Sequence, residues 1–161
     1  MDSQLTGIAS EVSTTFHQIR HGFKVGMYAL LMLEQARAEV VKSPSICRMP
    51  STPEWFSGFV NHRGETIPVF DLSIYFQLDR DTEEKKEWLL LIDEHPQAAG
   101  ILLSQPPQSL TDPVLADPEK SEQEALPTSL KHAVDKVYQS RNQQWLELDH
   151  RRFFMSLKTE F

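Results

Sequence analysis

Two short apolar segments flank a polar tip in the stretch FSGFVNHRGETIPVFDL, residues 56–72. The segments are rich in aromatic and β-branched side chains, which favour strands. Gly64 can take a positive φ in a tight turn without steric cost, and Asn61 can bond to the backbone of its own loop. The stretch therefore predicts a β-hairpin with Arg63 exposed at its tip, and it favours a fold built of short strands.

Other short apolar runs have the same strand-like character. GFKVG and YALLM flank Gly26-Met27, which predicts a tight turn, and ARAEVV is a further short segment ended by KSPS. WLLLI and AAGILL are apolar throughout, which is typical of strands buried on both faces. AVDKVYQS and WLELD predict a last hairpin around RNQQ. The chain is therefore predicted to be mainly β.

Two aspartates each follow an apolar strand, where their carboxylates can cap a short helix. PVFDLSIYF contains Asp71 and LELDHRRFF contains Asp149, and both place an aromatic pair four and five residues past the aspartate. This match predicts two similar β units, each closed by a short helix, although a repeat of so few residues also arises by chance. Pro68 has no backbone N–H, so we expect it on an edge strand or with its nitrogen facing out.

The two ends of this pattern differ from the short strands. Residues 4–20 predict an amphipathic N-terminal helix ended by Gly22, because apolar residues recur there at helical spacing. This helix, taken as residues 1–21, either packs on the body of the protein or docks on a partner. Residues 105–127 contain five prolines and several acids, so we predict a long, mobile surface loop with at most one helical turn.

Charge, cysteine content and the lengths of apolar runs argue against several classes of protein. With 16 Lys and Arg against 23 Asp and Glu, the formal charge of −7 disfavours nucleic-acid binding. Cys47 is the only cysteine, so no internal disulfide can form, and it is interpreted as a small buried apolar residue. The N-terminus has no basic region of a signal peptide, and the longest apolar run, YALLML, is too short to span a bilayer. We therefore expect a cytoplasmic protein.

The sequence contains no recognisable catalytic or phosphate-binding motif. The G-x-S-x-G, P-loop and dinucleotide fingerprints are absent. His17 and His21 have the i, i+4 spacing of a chelating pair on a helix, but no third ligand is in sight. We therefore predict no catalytic residue, no metal site and no cofactor. An enzyme on a β-barrel scaffold, with a site that sequence does not reveal, stays an alternative.

The hairpin stretch GFVNHRGETIPVFDL resembles the signature of CheW-like chemotaxis coupling proteins, in which G-V-x-N-x-R-G-x-x-x-P-V-x-D-L is typical. The matching residues are Gly58, Asn61, Arg63, Gly64, Pro68, Val69, Asp71 and Leu72. The resemblance covers roughly residues 22–157, and GFKVG, QQWLELD and the N-terminal helix are most similar to the pilus-associated, PilI-type branch. It implies a CheW-like domain over residues 22–161, made of two loose five-stranded, SH3-like β-barrels packed together.

The resemblance also implies a function, that of a non-enzymatic adaptor. Such proteins bridge the cytoplasmic tip of a methyl-accepting chemoreceptor and the regulatory domain of a CheA-type histidine kinase, in arrays at the membrane. The PilI-type branch serves twitching motility on type IV pili, and a flagellar adaptor is the alternative. No nucleic acid and no membrane insertion are expected.

The resemblance assigns roles to particular residues. The candidate receptor contacts are Arg63, Asn61 and Glu39, while the structural positions of the hairpin motif are Gly58, Gly64, Pro68 and Asp71. Arg63 offers a planar five-donor fork to a partner, or it pins its own loop by bonding nearby carbonyls. For Asp71 we predict helix capping.

Two departures from the family pattern are visible. Ser104 and Gln105 stand where a Val-Asp pair is usual, and His62 stands where Leu or Val is usual. The first departure weakens any transfer of contacts to the second half. An auxiliary or decoy protein that binds only the receptor or only the kinase is therefore a further alternative.

Overall fold

The computed structural model describes residues 16–78, 85–117 and 126–161. Within them the chain is mainly β, as predicted, and forms two sheets with three short helices. The strands are β1 (Ile19–Val25), β2 (Tyr28–Met32), β3 (Ala38–Lys42), β4 (Phe56–His62), β5 (Glu65–Phe70), β6 (Trp88–Ile92), β7 (Ala99–Leu103), β8 (Gln108–Thr111), β9 (Val114–Leu115), β10 (Val134–Ser140) and β11 (Gln143–Leu148). The helices are α1 (Leu72–Tyr75), α2 (Thr128–Ala133) and α3 (His150–Lys158).

The strands divide into two units, one inserted into the other. The first unit is a six-stranded sheet in the order β8-β1-β2-β11-β10-β9, and the second is a five-stranded sheet in the order β3-β6-β7-β5-β4. Parallel pairing occurs between β2 and β11 and between β5 and β7. The second unit therefore lies between β2 and β8 in the chain. Two β units were predicted, but one of them has six strands instead of five.

Among the described residues, apolar side chains form three clusters that follow this division. The largest draws on both units and on α3, with Leu30, Ile101 and Phe153 among its fully buried members. Each unit also has a small cluster of its own, around Leu31 in the first and around Leu89 in the second. Successive residues of β2 and β6 alternate between the shared cluster and their own unit's cluster. This explains why these strands are apolar throughout.

The first strand begins where a helix was predicted. Residues 4–15 of that helix lie outside the described residues, but its last part is wrong, since β1 begins at Ile19. Gly22 does not end an element, because it pairs with Leu31 inside the sheet. Ile19 is exposed and Arg20 is buried, so the inward face of this strand begins with a charged residue. A search for apolar residues at strand spacing could therefore not identify the buried face of β1.

The predicted loop over residues 105–127 contains two strands, which corrects the prediction for its described part. β8 pairs with β1 and places Leu110 opposite Arg20, and Leu110 is buried in the first unit's cluster. β9 pairs with β10 over two residues. Residues 118–125 lie outside the described residues. Only one residue of β8 is buried and apolar, so the pairing partner decides its conformation rather than its own sequence.

Pro68 lies in an inner strand, because β5 stands between β7 and β4. The edge placement is therefore wrong, and the other alternative, a nitrogen facing out, holds. Phe59, opposite Pro68, exchanges both of its backbone hydrogen bonds with Cys47, at 2.8 and 2.9 Å, so the polar groups of Phe59 point away from β5. β5 meets β7 only from Val69 onward. Proline thus removes no hydrogen bond from either ladder.

Candidate functional site

The tip of the β4–β5 hairpin is a two-residue turn made of Arg63 and Gly64. Their φ angles are +52° and +81°, and positive φ at both central residues is the pattern of a type I′ turn. The Asn61 side-chain oxygen accepts a hydrogen bond from the Gly64 N–H at 3.1 Å. These contacts confirm the predicted hairpin, and they hold Arg63 at an exposed tip, where 76% of its side chain is accessible.

Glu39 reaches the hairpin tip from β3, the strand at the opposite end of the sheet order from β4. Its carboxylate lies 2.9 Å from Arg63 Nη1 and, through its other oxygen, 2.6 Å from His62 Nε2. The hydrogen bond from His62 lowers the pKa of Glu39, partial desolvation opposes this, and the charge of Arg63 adds to the lowering. The structure thus brings together two of the predicted contact residues, and it adds His62. The Arg63 partner found here is a carboxylate on another strand rather than a carbonyl of its own loop.

This cluster forms one wall of a groove of about 660 Å³ at the end of the second unit. The floor of the groove is apolar and is made by Ile67, Leu91 and Ala98. Its rim carries a further ion pair, Arg37 with Glu94 at 2.5 Å, and His95 Nδ1 lies 3.6 Å from a carboxylate oxygen of Glu65. An apolar floor with a charged rim suits a partner helix that inserts an apolar side chain between charged neighbours.

Gly58 shapes the base of the same hairpin. Its φ is +127°, and a Cβ placed on it would lie 2.1 Å from the backbone oxygen of Cys47. No other residue fits there, because the chain that carries Cys47 bridges directly onto β4. Cys47 itself is exposed, so the expectation of a buried cysteine is wrong. Its backbone, not its thiol, takes part in the structure.

Asp71 caps α1, as predicted, by accepting hydrogen bonds from the backbone N–H groups of Ser73 and Ile74. It is also buried, and Lys86 Nζ lies 2.5 Å from its carboxylate. Sequence reasoning missed this partner, because Lys86 lies in the charged run DTEEKKE, residues 81–87, where side chains are usually solvated. Asp71 therefore ties the end of the hairpin both to a helix and to the chain that enters β6.

A second ion pair that the sequence did not reveal lies where the two units meet. Asp93, just after β6, accepts hydrogen bonds from His150 Nε2 at 2.7 Å and from Arg151 Nε at 3.2 Å, both on α3. The side chains of Asp93 and His150 are both buried. Burial raises the pKa of Asp93, but the hydrogen bonds from Arg151 and His150 outweigh it and leave this pKa lowered. The carboxylate thus joins the groove side of the second unit to α3.

The histidine pair considered for a metal is not on a helix. His21 lies in β1, and His17 Nδ1 lies 2.6 Å from a carboxylate oxygen of Asp112. In the part of the chain that the structure describes, no group of three or more His, Cys, Asp or Glu side chains could hold a metal ion. No helix among the described residues is long and apolar enough to cross a membrane.

Comparison with known proteins identifies the family to which this fold belongs. Residues 33–156 match the family model of the CheW-like domain. The chain belongs to the CheW-like domain family. Chemotaxis protein CheW of Helicobacter pylori is 31% identical over 84 residues, which are 51% of this chain and 50% of that protein, so the chain spans about half the length of this curated relative.

The fold is also similar to that of a solved structure. The scaffolding protein TtCheW from Thermoanaerobacter tengcongensis superposes with a TM-score of 0.65 at 21% identity, and the match covers 83% of this chain and 90% of that one. At this identity the likeness shows the fold alone. The second β unit, with the hairpin that carries Arg63, lies wholly within the residues matched by the family model, as do four strands of the first unit, whereas β1 and β2 precede them.

Proposed function

We propose that the chain is a non-enzymatic adaptor between the cytoplasmic tip of a methyl-accepting chemoreceptor and the regulatory domain of a CheA-type histidine kinase. Family membership supports this, as do a relative named chemotaxis protein CheW and a structural neighbour named scaffolding protein. The observation that carries the proposal is the exposed Arg63, which stands on a turn hydrogen-bonded to Asn61, beside a groove with an apolar floor. We place the adaptor in the cytoplasm, at membrane-associated receptor arrays.

Arg63 is the proposed receptor contact. Glu39 bonds one nitrogen of its guanidinium, and the remaining donors can grip carboxylates or carbonyls of a helical receptor tip. Asn61 holds the turn from which Arg63 projects. An adaptor must hold both partners at once, so the kinase is bound by a different surface. This division predicts that changes at the tip affect one partner and spare the other.

The decisive experiment is a binding titration of Arg63→Ala against a receptor-tip fragment and, separately, against the kinase regulatory domain. Loss of a charge-assisted interface contact costs about 2–5 kcal/mol, which is roughly 30-fold to several-thousand-fold in receptor affinity. Arg141 is a matched control, because it also lies at a hairpin tip with positive φ, between β10 and β11. We expect Arg141→Ala to bind both partners like the parent.

A different result would contradict the proposed contact. If Arg63→Ala loses affinity for both partners together with a marked fall in melting temperature, Arg63 acts on the hairpin itself. Calorimetry with ATP and with zinc checks the non-enzymatic part of the proposal, for which we expect no tight binding of either. Tight ATP binding would favour the enzyme alternative.

The pathway is a finer proposal. We place the adaptor in type IV pilus twitching motility, since the opening and closing segments resemble the PilI-type branch. Co-purification from the native cell tests this, because the receptor and kinase recovered with the protein belong either to a pilus or to a flagellar pathway. Recovery of flagellar partners would assign the protein to swimming instead.

The decoy alternative is tested by kinase activity. Ser104 and Gln105 follow β7, where the family pattern usually has a Val-Asp pair, so contacts from this part of the chain differ from the usual ones. An adaptor raises receptor-controlled autophosphorylation of the kinase when all three proteins are mixed. A decoy lowers it, or leaves it at the level of kinase alone.

A further inference from the structure

His62 is the titratable side chain closest to the proposed contact residue along the chain. It ends β4, one position before Arg63, and only 26% of its side chain is exposed. Its Nε2 bonds one oxygen of Glu39, while Arg63 bonds the other. Glu39 is therefore shared between a permanent cation and an imidazole, which can be neutral or protonated.

The charged groups that face His62 come from every wall of the groove. Glu39 faces it from β3, Arg63 from the tip, and Glu65 lies directly opposite in the hairpin register. Glu65 in turn lies 3.6 Å from His95 in the turn after β6. Arg37 and Glu94 pair with each other on the rim. Asp93 accepts hydrogen bonds from His150 and Arg151.

These groups make the net charge of the groove depend on its two histidines. Apart from Asp93, the groove has two arginines, three glutamates and two histidines. It carries one net negative charge when both histidines are neutral, and a proton on either histidine cancels that charge. A proton on His62 does so beside Arg63, where it weakens the repulsion of an acidic segment, whereas His95 faces Glu65.

We propose that His62 is a specificity-determining residue of the partner site, which makes binding of an acidic helical segment stronger as pH falls. This inference rests on the proposed function, since the segment in question is that of the receptor tip. Neutral His62 donates from Nε2 to Glu39 and leaves Arg63 as the main counter-charge of that carboxylate. A proton taken from solvent at Nδ1 keeps the Nε2 bond and gives Glu39 a second full counter-charge. Arg63 is then free to pair with a carboxylate of the partner.

The test is the pH dependence of binding in three proteins. Wild type, His62→Leu and His95→Leu are titrated with a receptor-tip fragment between pH 8 and pH 6, at low and at high salt. In wild type we expect the affinity to rise about two- to fivefold, the effect of one exposed charge, and to rise less at high salt. His62→Leu should lose most of this dependence, and His95→Leu, one strand further away, should keep it.

Because all three proteins meet the same fragment, titration of the fragment itself cancels in the comparison. Affinity that does not change with pH in wild type overturns the proposal, and so does a dependence that survives in His62→Leu. Melting curves at both pH values are recorded for each variant. A His62→Leu protein that fails to fold is replaced by His62→Gln, which keeps a donor to Glu39 but cannot take up a proton.

A measurement without partner separates this inference from the proposed function. The carboxyl carbon of Glu39 and the guanidinium carbon of Arg63 are followed by ¹³C NMR across the same pH range. We expect both signals to shift with one common midpoint in wild type and not in His62→Leu. If wild type binds no receptor fragment at any pH, the proposed function fails, and the NMR result alone decides: a common midpoint supports the switch and its absence overturns it.

Discussion

One arginine–glutamate pair of the first β unit and one of the second lie in opposite surroundings. In the first unit, Arg20 Nη2 lies 2.8 Å from Glu147, with 3% and 15% of the two side chains exposed. In the second unit, Arg63 lies 2.9 Å from Glu39, with 76% and 45% of the two side chains exposed. The lengths of the two contacts are nearly equal. Their consequences differ because water surrounds one pair and protein surrounds the other.

The buried pair is integrated into its unit. Arg20 also donates to the backbone oxygen of Met32 at 2.8 Å, and its guanidinium lies 5.2 Å from the centre of the Tyr138 ring. Burial lowers the pKa of Arg20, but hydrogen bonds with Glu147 and Tyr138 outweigh this and leave the pKa raised. From β1, Arg20 thus contacts three other strands of its sheet, β2, β10 and β11. Arg63, by contrast, keeps most of its donors exposed, which suits recognition of a partner.

The largest difference is expected when each arginine is removed. Arg20→Ala leaves Glu147 without its cation in a buried site, which costs about 3–5 kcal/mol of unfolding free energy. Arg63→Ala should change that free energy by less than about 0.5 kcal/mol, as surface substitutions usually do. Urea denaturation of both variants measures the contrast. Arg20→Met combined with Glu147→Leu is the control, and it should recover most of the loss. Equal stabilities of the two alanine variants would refute the contrast.

Asp93 pairs with His150 and Arg151 between the two units. This pair tests whether burial or location in the fold decides how much an ion pair contributes to stability. Asp93→Asn keeps the shape of the side chain but removes the charge that His150 and Arg151 share. Because Asp93 and His150 are both buried, we expect a loss of about 2–3 kcal/mol at pH 7, somewhat less than for Arg20→Ala. Chemical denaturation at pH 7 gives the value. A loss as small as that of Arg63→Ala would mean that this junction contributes little.

The same substitution has a predictable pH dependence. The pKa of Asp93 is lowered in the folded protein, so its contribution to stability is complete above the ordinary aspartate pKa of about 4 and is lost as pH falls through the folded value. Measured from pH 5 downward, the gap in unfolding free energy between wild type and Asp93→Asn should therefore narrow as pH falls below about 4. A gap that widens with acid would contradict this sign.

The two helix caps offer a second comparison of a buried with a more exposed side chain, and their removal is expected to change stability less. Asp71 is buried and paired with Lys86, whereas Asp149 is less buried and accepts hydrogen bonds from the backbone and side chain of Arg152. We expect Asp149→Ala to cost about 1 kcal/mol, the usual value for a cap. Asp71→Ala should cost about 2 kcal/mol, because it also leaves Lys86 unpaired. Thermal melting compares the two, and a double variant with Lys86→Met should bring the Asp71 value down to that of Asp149.

Sequence reasoning predicted the elements whose cause is local. The hairpin tip at Arg63 and Gly64 follows from turn chemistry, and both aspartate caps follow from the position of a short acidic side chain after an apolar strand. Glu39 was proposed only by resemblance to a family. The structure places it against the tip, although whether it contacts a partner stays a prediction.

The features that were missed depend on distant pairing. β8 is a strand because β1 lies beside it, and Arg20 is buried because Glu147, 127 residues away, offers it a carboxylate. Lys86 in its charged run cannot be told from a solvated lysine until Asp71 is placed next to it. His62 looked like a departure from a motif, and only its distance from Glu39 gives it a role. For Arg20, Lys86 and His62, a charged partner that is distant in the sequence decides the role of the side chain.

The smallest expected effect is the coupling between Arg63 and Glu39 in the free protein. A double-mutant cycle with Arg63→Ala and Glu39→Gln measures it as the part of the stability change that is not additive. An exposed pair loses in side-chain entropy much of what it gains in attraction, and salt screens the rest, so we expect a coupling close to zero that vanishes in high salt. The same cycle on Arg20 and Glu147 should give a large coupling that salt barely changes. A strong, salt-resistant coupling at the tip would mean that Arg63 is a structural residue of the second unit, as Arg20 is of the first, and its exposed donors would then be no argument for a partner.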